Sequence, residues 1–102
     1  MIYELRIYTI LPGKVPEFLE ILKEGLSVRE KHAKLGGLFF SEIGKLNQVL
    51  HLCSFDSLED RSKTREALIN DAQWQKVLAN LNRLIVEAEN KILIPADFSP
   101  LK

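Results

Sequence analysis

The chain has 102 residues, 46% of them hydrophobic and 27% charged, with 14 basic and 14 acidic side chains that cancel at pH 7. That length supports one domain over 1–102, because a second core would be too small to stand alone. A balanced charge excludes the basic excess that nucleic acids and acidic membranes select, and no apolar run approaches the ~18 residues of a membrane span.

Cys53 is the single cysteine, so neither an internal disulfide nor a cysteine zinc cluster can form. The expected setting is cytoplasmic. The two histidines, His32 and His51, lack metal-ligand spacing, so no metal site is expected. No cofactor motif is visible, and none is expected.

Ile2 to Ile10 alternates as a strand. Tyr3, Leu5, Ile7 and Thr9 form one side; Glu4, Arg6 and Tyr8 form the other, bracketed by Ile2 and Ile10. The more apolar side is expected to lie under helices. Pro12-Gly13 ends the strand. Pro16 then suits the first turn of a helix, and Val15, Phe18, Leu19, Leu22 and Leu26 follow at helical spacing. This pattern predicts a helix from about Val15 to Lys34, stopped by Gly36-Gly37.

Leu38 to Ile43 and Gln48 to Phe55 read as two strands of a hairpin. Ser57 with Asp60, or Asp56 with Glu59, resembles a capping box that opens a helix. Asn70-Asp71 interrupts it, and Asp71 can cap a second helix carrying Trp74, Val77, Leu78 and Leu81. Residues 82–90 are ambiguous between helix and strand. The β-branched run closed by Pro95 favours a strand from about Val86 to Ile94.

The order is therefore βαββαβ, with the second helical region broken in two. This is the α+β, ferredoxin-like arrangement: an antiparallel sheet with helices on one face. The other face is left uncovered, either wet or covered by a second copy. With Leu38, Phe40, Glu42, Val49 and His51 placed beside Glu4, Arg6 and Tyr8, that face is too apolar to leave wet. A two-fold, sheet-to-sheet homodimer would cover it. Two curved sheets meeting this way enclose a barrel that can hold a small ligand.

Several segments resemble the NIPSNAP family: Tyr3 to Tyr8; Glu42 to Leu52; Phe55-Asp56-Ser57-Leu58 with Arg61 and Arg65; Trp74; and Glu89 to Pro95 followed by Phe98-Ser99-Pro100. The resemblance covers nearly the whole chain. It implies a dimeric α+β barrel related in fold to cofactor-independent antibiotic-biosynthesis monooxygenases, and it carries no reaction with it.

The candidate site residues follow from the uncovered face. Glu4, Arg6, Tyr8, Phe40, Glu42 and His51 are candidates for binding a small apolar or aromatic ligand. His51 and Arg6 are the catalytic candidates, as base and as anion support. Each has a plainer alternative. His51 can be structural, and Arg6 can pair with a neighbouring strand, for instance at Glu89. Arg61 and Arg65 read as a solvated helix face, Trp74 as core, Cys53 as a small buried hydrophobe and His32 as a surface cap. Three functions remain open: a small-molecule-binding barrel, a cofactor-independent monooxygenase, and an interaction module.

Overall fold

A computed structural model describes the backbone of residues 1–102 and every side chain except that of Leu35. Its elements are β1 (Ile2–Ile10), α1 (Val15–Arg29), β2 (Leu35–Phe40), β3 (Gln48–Phe55), α2 (Leu58–Ile69), α3 (Ala72–Asn82) and β4 (Ile85–Leu93). The sheet order is β2-β3-β1-β4, with all neighbours antiparallel. The fold is the α+β arrangement that the element order predicts.

Local chemistry explains most boundaries. Pro16 sits in the first turn of α1, where the missing N–H would have no helical partner. Ser57 caps α2, its hydroxyl accepting from the Asp60 N–H at 3.1 Å, while the Asp60 carboxylate accepts from the Asp56 N–H at 2.9 Å. Asp71 caps α3 by accepting from the N–H groups of Gln73 and Trp74. Each such cap is worth about 1 kcal/mol.

Two boundaries differ from the sequence expectation. Helix α1 ends at Arg29, not Lys34, because tighter i→i−3 turns close it: the Lys31 N–H donates to Val28 and the His32 N–H to Arg29. Strand β2 spans Leu35–Phe40, not Leu38 to Ile43. Gly36 and Gly37 therefore lie inside a strand, where the register against β3 shifts between Leu35 and Gly37. A Cβ at Gly36 would stand 3.0 Å from the Leu52 carbonyl oxygen, so glycine permits the close approach of this bulge. Gly25 has a similar role between helices: a Cβ there would meet Val77 Cγ1 at 2.5 Å.

The core lies between the sheet and the helices. Ile10, Phe18, Leu22, Val49, Trp74 and Leu81 belong to one buried cluster. Truncating Phe18 or Leu22 to alanine there should cost about 3–5 kcal/mol.

The side of β1 that meets the helices is the opposite of the one expected. Glu4, Arg6 and Tyr8 face α1 and α2, in register with Cys53, His51 and Val49 of β3. Contacts fix the orientation. The Arg61 guanidinium of α2 donates to Glu4, Arg29 of α1 donates to the Cys53 sulfur, and the Tyr8 ring lies 5.9 Å from Phe18 of α1. Leu5 and Ile7 instead look out from the uncovered face, opposite Leu52 and Leu50. Because strand side chains alternate, the whole row changes sides together.

Candidate functional site

A cavity of about 240 Å³ lies between the sheet and the helices, not on the uncovered face where a barrel interior was expected. Phe18, Leu22, Trp74, Leu78 and Leu81 supply much of its apolar wall. Ile69, Asn82 and Ala88 also line it and are exposed, so the cavity opens to solvent past the ends of α2 and α3 and the start of β4.

Its polar wall comes from three elements. Strand β1 contributes Arg6 and Tyr8, and the register sets His51 of β3 directly beside Arg6. Helix α1 presents Phe18, Leu22, Gly25 and Arg29 on its buried face, so Arg29 continues the inward stripe at helical spacing. Helix α2 likewise turns Arg61, Arg65 and Leu68 inward. These bind Glu4, line the cavity and join the core, respectively.

The electrostatics are uneven. Among the described residues, the cavity is lined by three arginines, Arg6, Arg29 and Arg65, and by no carboxylate. The nearest acid is Glu4, only 1% exposed. Its Oε2 accepts from Arg61 at 2.8 Å and from Asn90 at 2.9 Å. Burial opposes the charge of Glu4, but the Arg61 hydrogen bond, the Arg6 charge and the Asn90 amide outweigh it and hold the carboxyl below its usual range. The same bond to Glu4 raises Arg61.

The other cations lack such a partner. Among the described residues, the ion pairs are His32–Asp71, Lys45–Glu87, Arg61–Glu4 and Lys63–Glu59. Arg29 is 4% exposed. It donates to the Cys53 sulfur at 3.3 Å and its guanidinium carbon stands 6.0 Å from the Trp74 ring centre. That stacking helps hold a desolvated cation. Arg6 lies 5.6 Å from the Tyr8 ring centre. Burial, then the charges of Arg6 and Arg61, push Arg65 down; a guanidinium nevertheless stays protonated in proteins.

His51 is 4% exposed. Burial first, then the charges of Arg29 and Arg6, push its pKa down to about 3, with Glu4 opposing. The ring is neutral at pH 7. Three nitrogens around the cavity are buried without a hydrogen-bond partner: Arg6 Nε, Arg29 Nη1 and His51 Nε2.

Of the residues expected at a site, Arg6, Tyr8 and His51 come together at the cavity, and Glu4 lies beside them as the partner of Arg61. Phe40 and Glu42 do not join them. Phe40 ends β2 and is 60% exposed, and Glu42 follows in an exposed loop. Arg6 stands opposite Asn90, while Glu89 points to the other face, so the expected Arg6–Glu89 pair does not form. Arg61 and Arg65 are not a solvated face. Arg29, Arg65 and Asn90 were missed as site residues. The available signal was the interruption of the inward helical stripes by arginine. Trp74 is buried as expected, and Cys53 is buried and free. His32 is also tied down, 2.7 Å from Asp71. Among the described residues, no cluster of three or more His, Cys, Asp or Glu could hold a metal, and no helix is long and apolar enough to cross a membrane.

Comparison with known proteins places this geometry in a lineage. A crystallised NIPSNAP family protein from Agrobacterium tumefaciens is 42% identical, with a TM-score of 0.95, over 99% of this chain and 98% of that one. The protein NipSnap of Drosophila melanogaster is 35% identical over 97% of this chain, which covers 36% of that protein. The chain thus spans about a third of the length of that protein and of the similar NipSnap homolog 2 of Danio rerio. An antibiotic biosynthesis monooxygenase of known structure is 7% identical with a TM-score of 0.69, covering 94% of this chain and 99% of that one, a likeness of fold alone. The NIPSNAP family model matches residues 3–100, and with it the chain belongs to the NIPSNAP family.

Proposed function

We propose that this chain acts as a homodimeric barrel protein that binds one small, mostly apolar molecule between the sheet and the helices of each copy. One observation carries the reading: an apolar cavity of about 240 Å³ whose wall includes three buried nitrogens without partners, on Arg6, Arg29 and His51. Burying polar groups without hydrogen bonds is costly. A ligand with an apolar body and a polar end would remove that cost. Arg6, Tyr8 and His51 orient the polar end, with Glu4 holding Arg61 beside them.

The uncovered face supports the dimer. Leu5, Ile7, Leu50, Leu52 and Phe39 share it, and no helix covers them. This row is more apolar than the one expected there, and a second copy would bury it by two-fold contact. The buried, free Cys53 accords with a reducing compartment such as the cytoplasm. The monooxygenase reading gains nothing from His51, because an imidazole with a pKa of about 3 is poorly matched to proton abstraction at neutral pH.

The test is a thermal-shift screen of small amphipathic organic molecules against the wild type and Ala88→Trp. The substitution puts a bulky ring at the exposed mouth of the cavity. The reading expects compounds that raise the Tm of the wild type and leave Ala88→Trp unmoved. Equal shifts in both proteins, or none in either, contradict it. Oxygen uptake with a phenolic substrate would restore the enzymatic alternative.

A further inference from the structure

We propose that the ligand is an organic acid, with its carboxylate held by Arg6, Arg29 and His51 and its apolar body against Phe18, Leu22 and Trp74. The inference rests on the small-molecule reading above and specifies the chemistry of that site.

The chain as a whole is neutral, yet the cavity wall carries three arginines and, among the described residues, no acid. The one buried acid nearby is committed: a single Glu4 oxygen accepts from both Arg61 and Asn90. Arg29 is almost fully buried with only a sulfur acceptor and an aromatic ring for company. A buried cation without a counter-ion is strongly unfavourable, and residues of similar shape but no charge are often more stable in such places. Arg29 is therefore a poor structural choice, and with the half-buried Arg6 and Arg65 in the same wall it makes a good anion receptor.

The unpartnered atoms narrow the class. Arg6 Nε and Arg29 Nη1 are donors only, and His51 contributes a neutral donor in its Nε2–H tautomer. A carboxylate is an acceptor with about four lone-pair sites, so its two oxygens can take all three donors at once. An alcohol would satisfy fewer of them, and an ammonium would be repelled. The N-termini of α2 and α3 are already capped by Ser57 and Asp71, so neither offers free backbone N–H groups to a phosphate. The apolar remainder of the wall lowers the local dielectric, which strengthens charge-assisted hydrogen bonds.

Isothermal titration at pH 7 with octanoate, 1-octanol, octylamine and octyl phosphate tests this. Octanoate should bind roughly tenfold or more tightly than 1-octanol, with octylamine weakest. Arg29→Met, checked for an unchanged circular dichroism spectrum, should erase the preference for octanoate. Arg6→Met, at a less buried position, serves the same purpose should Arg29→Met fail to fold. Equal binding of 1-octanol and octanoate overturns the acid while leaving an apolar site standing. Tighter binding of octyl phosphate overturns the carboxylate, and an unaltered preference in both variants overturns the arginine assignment. Failure of all four compounds to bind the wild type overturns the small-molecule reading together with the inference.

Discussion

The two faces of one sheet divide the chemistry of this protein. The helix-facing side holds Glu4, Arg6, His51 and Tyr8 amid the core, while the uncovered side holds Leu5, Ile7, Leu50 and Leu52. Globular proteins usually do the reverse, with apolar side chains sealed under helices and charges in water. The inversion is possible because the helices themselves bring cations inward. Arg29 of α1 and Arg61 and Arg65 of α2 stand where a leucine would ordinarily pack. Burying polar groups on one side leaves the other side greasy, so the cavity and the apolar uncovered face arise from the same alternation.

The largest expected effects come from exchanging the two environments. Val49 is fully buried on the helix side, in the wall that carries Arg6 and Arg29, so Val49→Lys should unfold the protein, because it buries a further cation with no counter-ion. Leu50, one residue away, looks out from the uncovered face. Leu50→Lys should leave the fold intact and split the dimer, lowering the mass by light scattering from about twice 11.7 kDa to that value. A folded Val49→Lys, or a monomeric wild type, would break the comparison.

Next comes the buried ion pair. Glu4→Ala removes the acceptor of Arg61 and Asn90 and leaves the nearby cations unopposed. A loss of about 3–5 kcal/mol in urea denaturation is expected. A loss below 1 kcal/mol would mean the pair behaves as an exposed one.

A smaller effect depends on pH. His51 titrates near 3 when folded and near 6.5 when unfolded. Between those values the unfolded chain binds more protons, so stability is full above about 6.5 and falls as pH falls. The slope from this group is up to about 1.4 kcal/mol per pH unit. Glu4, whose carboxyl is also held low, adds its own loss only below its ordinary value of 4.5. The window from pH 6.5 to 4.5 therefore isolates His51 from Glu4. Denaturation across it should show a slope that His51→Gln removes; an identical slope in that variant would place the ring in water.

Much of the fold was legible because local chemistry specifies it. Ser57 and Asp71 cap the helices they were expected to cap, and β3 runs over Gln48–Phe55 as its alternation indicates. The strand after α3 was legible from its β-branched run despite competing helical spacing. Strand β2 was misplaced because Gly36-Gly37, ordinarily a stop, here forms a bulge against Leu52. The site was half legible. Arg6, Tyr8 and His51 were expected on one face and do share one, since strand alternation and register keep them together whichever way the sheet faces. The direction they face was not legible from β1 alone, which carries isoleucines on its polar side and a threonine on its apolar one. It was encoded in α2, where Arg61, Arg65 and Leu68 recur at helical spacing with no competing apolar stripe. Taking charged helix residues as solvent-facing hid that signal, and Arg29 with it.

Ligand and partner copy are proposed to occupy opposite sides of the sheet. A crystal structure grown with octanoate tests this most directly. The account predicts ligand density between sheet and helices, with the carboxylate beside Arg6, Arg29 and His51. Density lying instead between two sheets, against Leu5 and Leu50 on the uncovered face, would contradict it.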